Sequence, residues 1–228
     1  MPQYESFARE FLEHALDAPY NAHYDRPAML ELIGDVRGTH VLDAGCGPGL
    51  YAEQLVAAGA TVMGIDNSPA MVALARERVN RSATFRVHDL DRPLDWLPSA
   101  SFDIVVSALV LHYVSDPTAL MEEFHRVLRP GGVAVISNQH PTSDWVRLGG
   151  SYFAVEEFTE TFSKGWVITT RRAPMQYWCD AFTDAGFLIQ KLVEPRPADS
   201  MKDAHPQVWE KLNTEPAFFA VRLVKAAV

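Results

Sequence analysis

The residues of this chain best suited to chemistry cluster in one run, Val41-Leu42-Asp43-Ala44-Gly45-Cys46-Gly47-Pro48-Gly49. Apolar residues lead into an acid, glycines alternate with other residues, and a helical pattern begins at Leu50. That order describes a buried strand, a tight bend and the start of a helix. Positions without a side chain let a ligand approach the main chain where a Cβ would block it. The first N–H groups of the helix point at that ligand and are free to donate. Asp66 follows the first glycine by about twenty residues, where a dinucleotide-binding fold places a carboxylate on ribose hydroxyls. An ionised carboxylate only accepts hydrogen bonds, which suits hydroxyl and ammonium donors. Bend and acid together suggest a nucleoside ligand.

The dinucleotide fingerprint G-x-G-x-x-G would need a third glycine where Leu50 stands. The spacing G-x-G-x-G, preceded by Leu42-Asp43, instead resembles the first motif of the class I S-adenosylmethionine-dependent methyltransferases. The likeness continues past the loop. FDIVVSALVLHYV, starting at Phe102, followed by Leu128-Arg129-Pro130-Gly131-Gly132, is similar to the fourth strand and following helix of the small-molecule and quinone C-methyltransferase-like branch. The resemblance is strong over residues 39–137, architectural over 174–226, and loose over 1–38 and 139–173.

It implies S-adenosyl-L-methionine as cofactor, released as S-adenosyl-L-homocysteine. By position, Gly45, Cys46, Gly47 and Gly49 would wrap the methionine end, and Asp43 would meet its amino group. Asp66 would accept from both ribose hydroxyls, with Asn67 and Met71 beside the adenine. Asp89 would accept from the adenine amino group, and Leu90 would donate its N–H to the ring. Ser107 and Ala108 would lie beside the sulfonium and the adenosine. Ser107-Ala108-Leu109-Val110 stands where nucleic-acid amino-methylating enzymes carry an Asn/Asp-Pro-Pro-Tyr-like motif. The acids of the metal-dependent catechol enzymes are missing from the same strand end, so no catalytic metal is expected.

Methyl transfer needs an aligned acceptor, exclusion of water, and a proton sink where the acceptor carries a proton. His112 follows the fourth strand and His140 lies in Asn138-Gln139-His140-Pro141; both are candidate bases, since imidazole takes a proton near neutral pH. Tyr20, Tyr24, Tyr113 and Trp145 are candidate walls of the acceptor site. Cys46 has neither a basic neighbour nor a second cysteine to activate it, so it reads as a small residue in the bend.

These groups must be held by regular elements. Strand patterns over 39–44, 61–66, 84–88, 102–107 and 133–137 alternate with helical ones. The helices run over 49–58, from Ser68-Pro69, and from Asp116-Pro117 to a stop at Gly131-Gly132. This predicts an α/β, Rossmann-like sheet, mostly parallel, with helices on both faces and ligands at the strands' carboxyl ends. A helix from Pro174 and strands over 187–193 and 217–224 complete seven strands. The resemblance places the last of them antiparallel between the fifth and sixth.

The expected organisation is a single methyltransferase domain over 1–228. Residues 1–38 form a helical cover, with helices over 4–17 and near Pro27. Residues 39–138 form the cofactor-binding core, and 174–228 complete the sheet. The aromatic insertion 139–173 reads as a substrate or lid piece with short strands Phe158–Phe162 and Trp166–Thr170; a dimer surface is its alternative.

Composition narrows the partners. The net charge is −9 and Arg171-Arg172 is the longest basic run, so the chain lacks a phosphate-backbone footprint and no nucleic acid is expected. Hydrophobic residues make up 48%, enough for a sizeable core. Two cysteines suit a reducing compartment. No apolar run nears the roughly 20 residues of a membrane span, and MPQYESFARE lacks a basic-then-apolar leader pattern. The expectation is a cytoplasmic monomer or homodimer methylating O, N or C of a small aromatic or apolar metabolite. An RNA or protein acceptor, a non-catalytic cofactor-binding regulator and, more distantly, a nicotinamide oxidoreductase are the alternatives.

Overall fold

The computed structural model describes residues 2–79, 82–161 and 164–227. A 3₁₀ turn (Glu5–Phe7) and α1 (Ala8–Ala15) open the chain, and a π-helical turn (Asn21–Asp25) runs directly into α2 (Arg26–Ile33). Strands and helices then alternate as β1 (His40–Ala44), α3 (Leu50–Ala57), β2 (Thr61–Asp66), α4 (Pro69–Val79) and β3 (Ala83–Val87). The second half of the core is β4 (Phe102–Ala108), α5 (Pro117–Val127) and β5 (Leu128–Gln139). The insertion holds α6 (Pro141–Leu148) and a hairpin of β6 (Glu156–Thr161) and β7 (Val167–Arg172). The chain closes with α7 (Met175–Asp184), β8 (Phe187–Val193), α8 (Asp199–Ala204), α9 (Pro206–Thr214) and β9 (Phe218–Lys225).

The main sheet has seven strands in the order β3-β2-β1-β4-β5-β9-β8, and β6-β7 form a separate pair. The first five are parallel, while β9 runs antiparallel to both neighbours, as expected. Burial on both faces explains why the central strands β1, β4 and β5 are nearly continuously apolar, whereas the edge strands β3 and β8 are largely exposed. Successive side chains take opposite faces. Val133 and Val135 of β5 join a cluster with α2, α3 and α4, including Met29, Leu55 and Val72. Ala134 and Ile136 face the other way, onto Phe124 of α5 and Trp178 and Phe182 of α7. Ile104 and Val106 against Val105 in β4 repeat the division.

Two helix starts follow directly from their residues. The Ser68 hydroxyl accepts from the Met71 N–H (3.1 Å) and Asp116 from the Ala119 N–H (3.0 Å), each satisfying an otherwise orphaned donor.

Three local expectations are corrected. α5 does not run to Gly131-Gly132: Leu128 is already extended (φ −72°, ψ 142°), and the glycine pair lies inside β5. The register against β4 shifts there, and a Cβ on Gly132 would sit 2.8 Å from the Arg129 carbonyl oxygen. Close backbone approach in a bulged strand, not helix termination, therefore accounts for this glycine. Helix α6 occupies part of the insertion from which only strands were read. Helices α8 and α9 occupy what read as an irregular polar segment; Met201 and Leu212 anchor them on Tyr24, a tertiary contact that local periodicity does not reveal. Of the residues assigned to the first insertion strand, Phe162 lies outside the described residues. Among the described residues, no helix is long and apolar enough to cross a membrane.

Candidate active site

The glycine bend joins β1 to α3, and its glycines serve different ends. The N–H groups of Gly45 and Cys46 both donate to the Ile65 carbonyl (2.8 and 2.9 Å), locking the bend onto β2. Gly45 has φ +78°, and a Cβ there would lie 2.3 Å from Cγ2 of Val110 in the loop after β4. Gly49 has φ +83°, and a Cβ there would lie 3.0 Å from the Ala75 Cα of α4. Only Gly47 leaves its Cβ position open, with nothing within 4 Å, and it lines the large cavity. Two of the three glycines are thus demanded by packing, and the middle one opens room for a ligand.

The carboxylates crowd around this bend. Asp66 accepts from the Gly47 and Ser68 N–H groups, both at 2.9 Å, yet burial pushes its carboxyl above the usual range. Asp43 is pushed up to about 7, first by burial and then by the charge of Asp66. One of its oxygens has no partner. Asp25, at the end of the π-helical turn, is pushed up to about 6 by burial, although the Tyr51 hydroxyl donates to it at 2.6 Å. Its other oxygen is also without a partner. Buried carboxyls with orphaned oxygens are costly unless a donor or a cation completes them.

Above the bend lies a cavity of about 1090 Å³. Its floor is the glycine loop with Asp66 and Asp89; its roof comes from the cover and the insertion. The Tyr4 and Tyr113 hydroxyls meet at 2.6 Å. Glu5 accepts from the Ser68 hydroxyl (2.5 Å) and the Ala70 N–H (3.1 Å), seating the first turn on the start of α4. Phe7 stacks on Trp166, 4.9 Å between centroids and 8° between planes. The side-chain amide of Gln3 pairs with the main chain of Thr169 in both directions (3.0 and 2.6 Å). Arg147 pairs with Asp144 (2.8 Å) and with Glu160, joining α6 to β6 at the cavity wall.

The cavity gathers most of the expected site residues. Gly45, Cys46, Gly47, Asp66, Asn67, Met71, Asp89, Leu90 and Ala108 line it, as do Tyr20, His112 and Tyr113. Six others do not. Asp43 and Ser107 are buried behind the wall, and the Ser107 hydroxyl has no partner. Gly49 packs on α4. Tyr24 is fully buried beside Met201 and Leu212, its hydroxyl accepting from the Ala217 N–H at 3.1 Å. Trp145 is 43% exposed, with its indole N–H on the Gly150 carbonyl. His140 caps α6: Nδ1 accepts from the Thr142 N–H (3.2 Å) and Nε2 lies 3.0 Å from Glu194. Both ring nitrogens of His140 are engaged away from the cavity.

His112 differs. Its Nδ1 lies 2.5 Å from Oδ1 of Asn138, a carbonyl oxygen, so Nδ1 carries the proton and Nε2 keeps its lone pair. Burial lowers its pKa to about 4, which holds the ring neutral. Asp25, Arg26, Tyr4 and Tyr51 line the cavity without having been singled out from the sequence. Asp25 and Arg26 directly precede Pro27 and Tyr51 lies in α3; what brings them to the cavity is tertiary packing, which the local pattern does not reveal.

The donor and acceptor set fits a cationic nucleoside. The open Gly47 position, the Asp66 carboxylate and the orphaned Asp25 oxygen share one cavity, and the orphaned Asp43 oxygen lies behind its wall. Comparisons agree with the geometry. Residues 42–136 match the methyltransferase domain family. The chain is 36% identical over 124 residues to a demethylmenaquinone methyltransferase of Tropheryma whipplei, covering 53% of this chain and 50% of that protein. It is 35% identical over 126 residues to a ubiquinone biosynthesis O-methyltransferase of Xanthomonas oryzae, covering 53% and 52%. The chain thus spans about half the length of the curated relatives it matches. The crystal structure of an S-adenosylmethionine-dependent methyltransferase from Mesorhizobium loti superposes with a TM-score of 0.71 at 27% identity, over 87% of this chain and 96% of that one. The fold is that of the class I S-adenosylmethionine-dependent methyltransferases. The stretch that matches the methyltransferase domain family, residues 42–136, includes the glycine bend and β4.

Proposed function

We propose that the chain transfers a methyl group from S-adenosyl-L-methionine to a small aromatic or apolar metabolite enclosed beneath the cover and the insertion. The observation that carries this reading is one enclosure in which the Gly47 opening, Asp66 and Asp89 face Tyr4, Tyr113 and Trp166. Its volume, about 1090 Å³, is at the upper end of small-molecule sites, generally about 300–1,000 Å³. That leaves space for an acceptor beside a nucleoside. The named activities of the two relatives, on quinone precursors, support a ring-bearing acceptor. The net charge of −9 disfavours an RNA acceptor.

The cofactor supplies an electrophilic methyl on a sulfonium when bound. Asp66 holds the ribose, Asp89 and Leu90 the adenine edge, and the Gly45–Gly47 main chain the methionine end, with Asp43 contributing charge from behind. Enclosure by Tyr4, Tyr113 and Trp166 keeps water out and aligns the acceptor, which alone lowers such barriers by roughly 7–11 kcal/mol. Where the acceptor carries a proton, His112 Nε2 receives it, with Asn138 holding the ring. Asp25, with one oxygen unpartnered, is a second proton acceptor lining the same cavity. His140 and Trp145 have no part in this scheme.

The test is methyl transfer from labelled S-adenosyl-L-methionine into a cell extract separated into small-molecule, RNA and protein fractions. Label in the small-molecule fraction, lost in the Asp66→Ala variant, is expected. Label only in RNA or protein would replace the acceptor assignment. Cofactor binding without label in any fraction would show a non-catalytic binding protein.

A further inference from the structure

Away from the cavity, three side chains from distant parts of the sequence converge. Asp17 follows α1, His23 lies in the π-helical turn, and His205 separates α8 from α9. One carboxylate oxygen and one nitrogen from each imidazole all lie within 4.8 Å of one another. His23 Nε2 is 2.9 Å from Asp17 Oδ1, and the two imidazole centroids are 5.8 Å apart. None of the three lines the catalytic cavity.

We propose that Asp17, His23 and His205 bind a divalent transition metal of the zinc type, which clasps the N-terminal cover to the α8–α9 pair. Two imidazoles and a carboxylate suit zinc and its neighbours in the first transition series. Calcium and magnesium, which take oxygen ligands, are poorly matched. The outer shell is already in place. His23 Nδ1 lies 2.8 Å from the Ser200 hydroxyl, which can accept a hydrogen bond from Nδ1–H and so leave the Nε2 lone pair free for a metal beside Asp17. Ligating histidines are generally oriented by such a partner on the second nitrogen.

The main chain supports the same arrangement without metal. The Ala198 N–H donates to the His23 carbonyl (2.8 Å), and the His205 N–H to the Met201 carbonyl (2.7 Å). The histidines are therefore held near one another by the fold and need not be gathered by the ion. Three protein ligands leave a position for water. A second pocket of about 360 Å³, lined by Asp17, His205, Glu13 and His14, adjoins the site. Lys164 also borders that pocket, with its ammonium 5.2 Å over the Trp166 ring.

The clasp would act on two walls of the cavity at once. Tyr20 and Asn21, between Asp17 and His23, line it, and so do Leu212 and Thr214 on the helix that follows His205. The metal takes no part in methyl transfer; it fixes the separation of two wall segments.

The experiment uses the full chain, titrated with Zn²⁺ against a fluorescent chelator and with Co²⁺ read by ligand-field absorption. One equivalent should bind with a dissociation constant in the micromolar range or tighter, and zinc at about 100 times that constant should raise Tm by about 5–10 °C. His205→Ala and Asp17→Asn should each weaken Zn²⁺ binding at least about 30-fold while leaving cofactor affinity within about twofold. The Asp17 side chain is mostly exposed, so Asp17→Asn tests the site without threatening the fold. Binding weaker than about 100 µM in the parent, or equal affinity in parent and Asp17→Asn, would overturn the assignment.

Discussion

Asp66 on the floor of the cavity and Asp43 behind it stand near the ends of β2 and β1, strands paired on both sides within the seven-stranded sheet. On the roof, Tyr4 and Glu5 stand at the 3₁₀ turn and Trp166 just before β7 of the hairpin, joined to their neighbours by a few side-chain hydrogen bonds and one stacked pair of rings. The floor is placed by backbone ladders and two apolar clusters, so its geometry does not depend on any one side chain. The roof depends on each of its contacts, and opening it costs far less than opening the sheet. The contrast separates two tasks. A rigid floor suits a ligand that never changes, and a weakly held roof suits entry, exit and adaptation to an acceptor.

The harshest challenge to that division is Asp66→Ala. It removes the proposed acceptor for ribose hydroxyls and orphans the Gly47 and Ser68 N–H groups. Affinity for S-adenosyl-L-homocysteine should fall by at least about 100-fold, near 3 kcal/mol, in isothermal titration. Unchanged affinity would mean the floor is not where the nucleoside binds.

Asp43 gives a second probe, read against pH. Its carboxyl titrates at about 7 in the folded chain, against about 4 when unfolded. The folded state therefore holds the proton more tightly, and no penalty exists below pH 4. Stability falls as pH rises from about 4 to 7 and stays reduced above that. Asp43→Asn should remove the slope contributed by this group, leaving the variant about 2 kcal/mol more stable than the parent at pH 8 without cofactor. Denaturant melts at pH 5 and pH 8 measure it. A variant less stable at pH 8 would show that Asp43 stabilises the empty floor.

The roof is probed by Trp166→Ala. Loss of the Phe7 stack and the Glu10 contact should speed amide exchange over residues 4–16 by about tenfold while β1 and β2 stay protected. Equal acceleration in the strands would erase the distinction between floor and roof. The smallest expected effect is Asp116→Ala, which deletes the cap of α5 far from the roof. It should cost about 1 kcal/mol and lower Tm by about 2–4 °C without altering cofactor affinity.

The floor was legible because its signals are local. Val41-Leu42-Asp43 and Thr61–Asp66 announce strands by composition, and the glycine spacing announces the bend. The antiparallel β9 required the family resemblance, since periodicity carries no strand order. The roof was legible only in outline. The β6–β7 hairpin showed as two apolar-alternating runs about a glycine, but α6, α8 and α9 are short helices whose packing partners lie far off in sequence. His140 and Tyr24 stood in plausible places and were taken up by other duties, a helix cap and a satellite core. Asp25 went unnoticed because its partners, Tyr51 and Ser137, reach it only through the tertiary fold.

Gln3 grips Thr169 across 166 residues. During synthesis the amino-terminal segment can dock on α4 and Tyr113 through Glu5 and Tyr4 before the hairpin strand carrying Thr169 has emerged, but the Gln3 pairing must wait for that strand. The cofactor-binding half, from β1 through β5, can assemble in that interval with its ligand entrance still uncovered. The closing of the roof at this one joint therefore waits on residues made long after the floor.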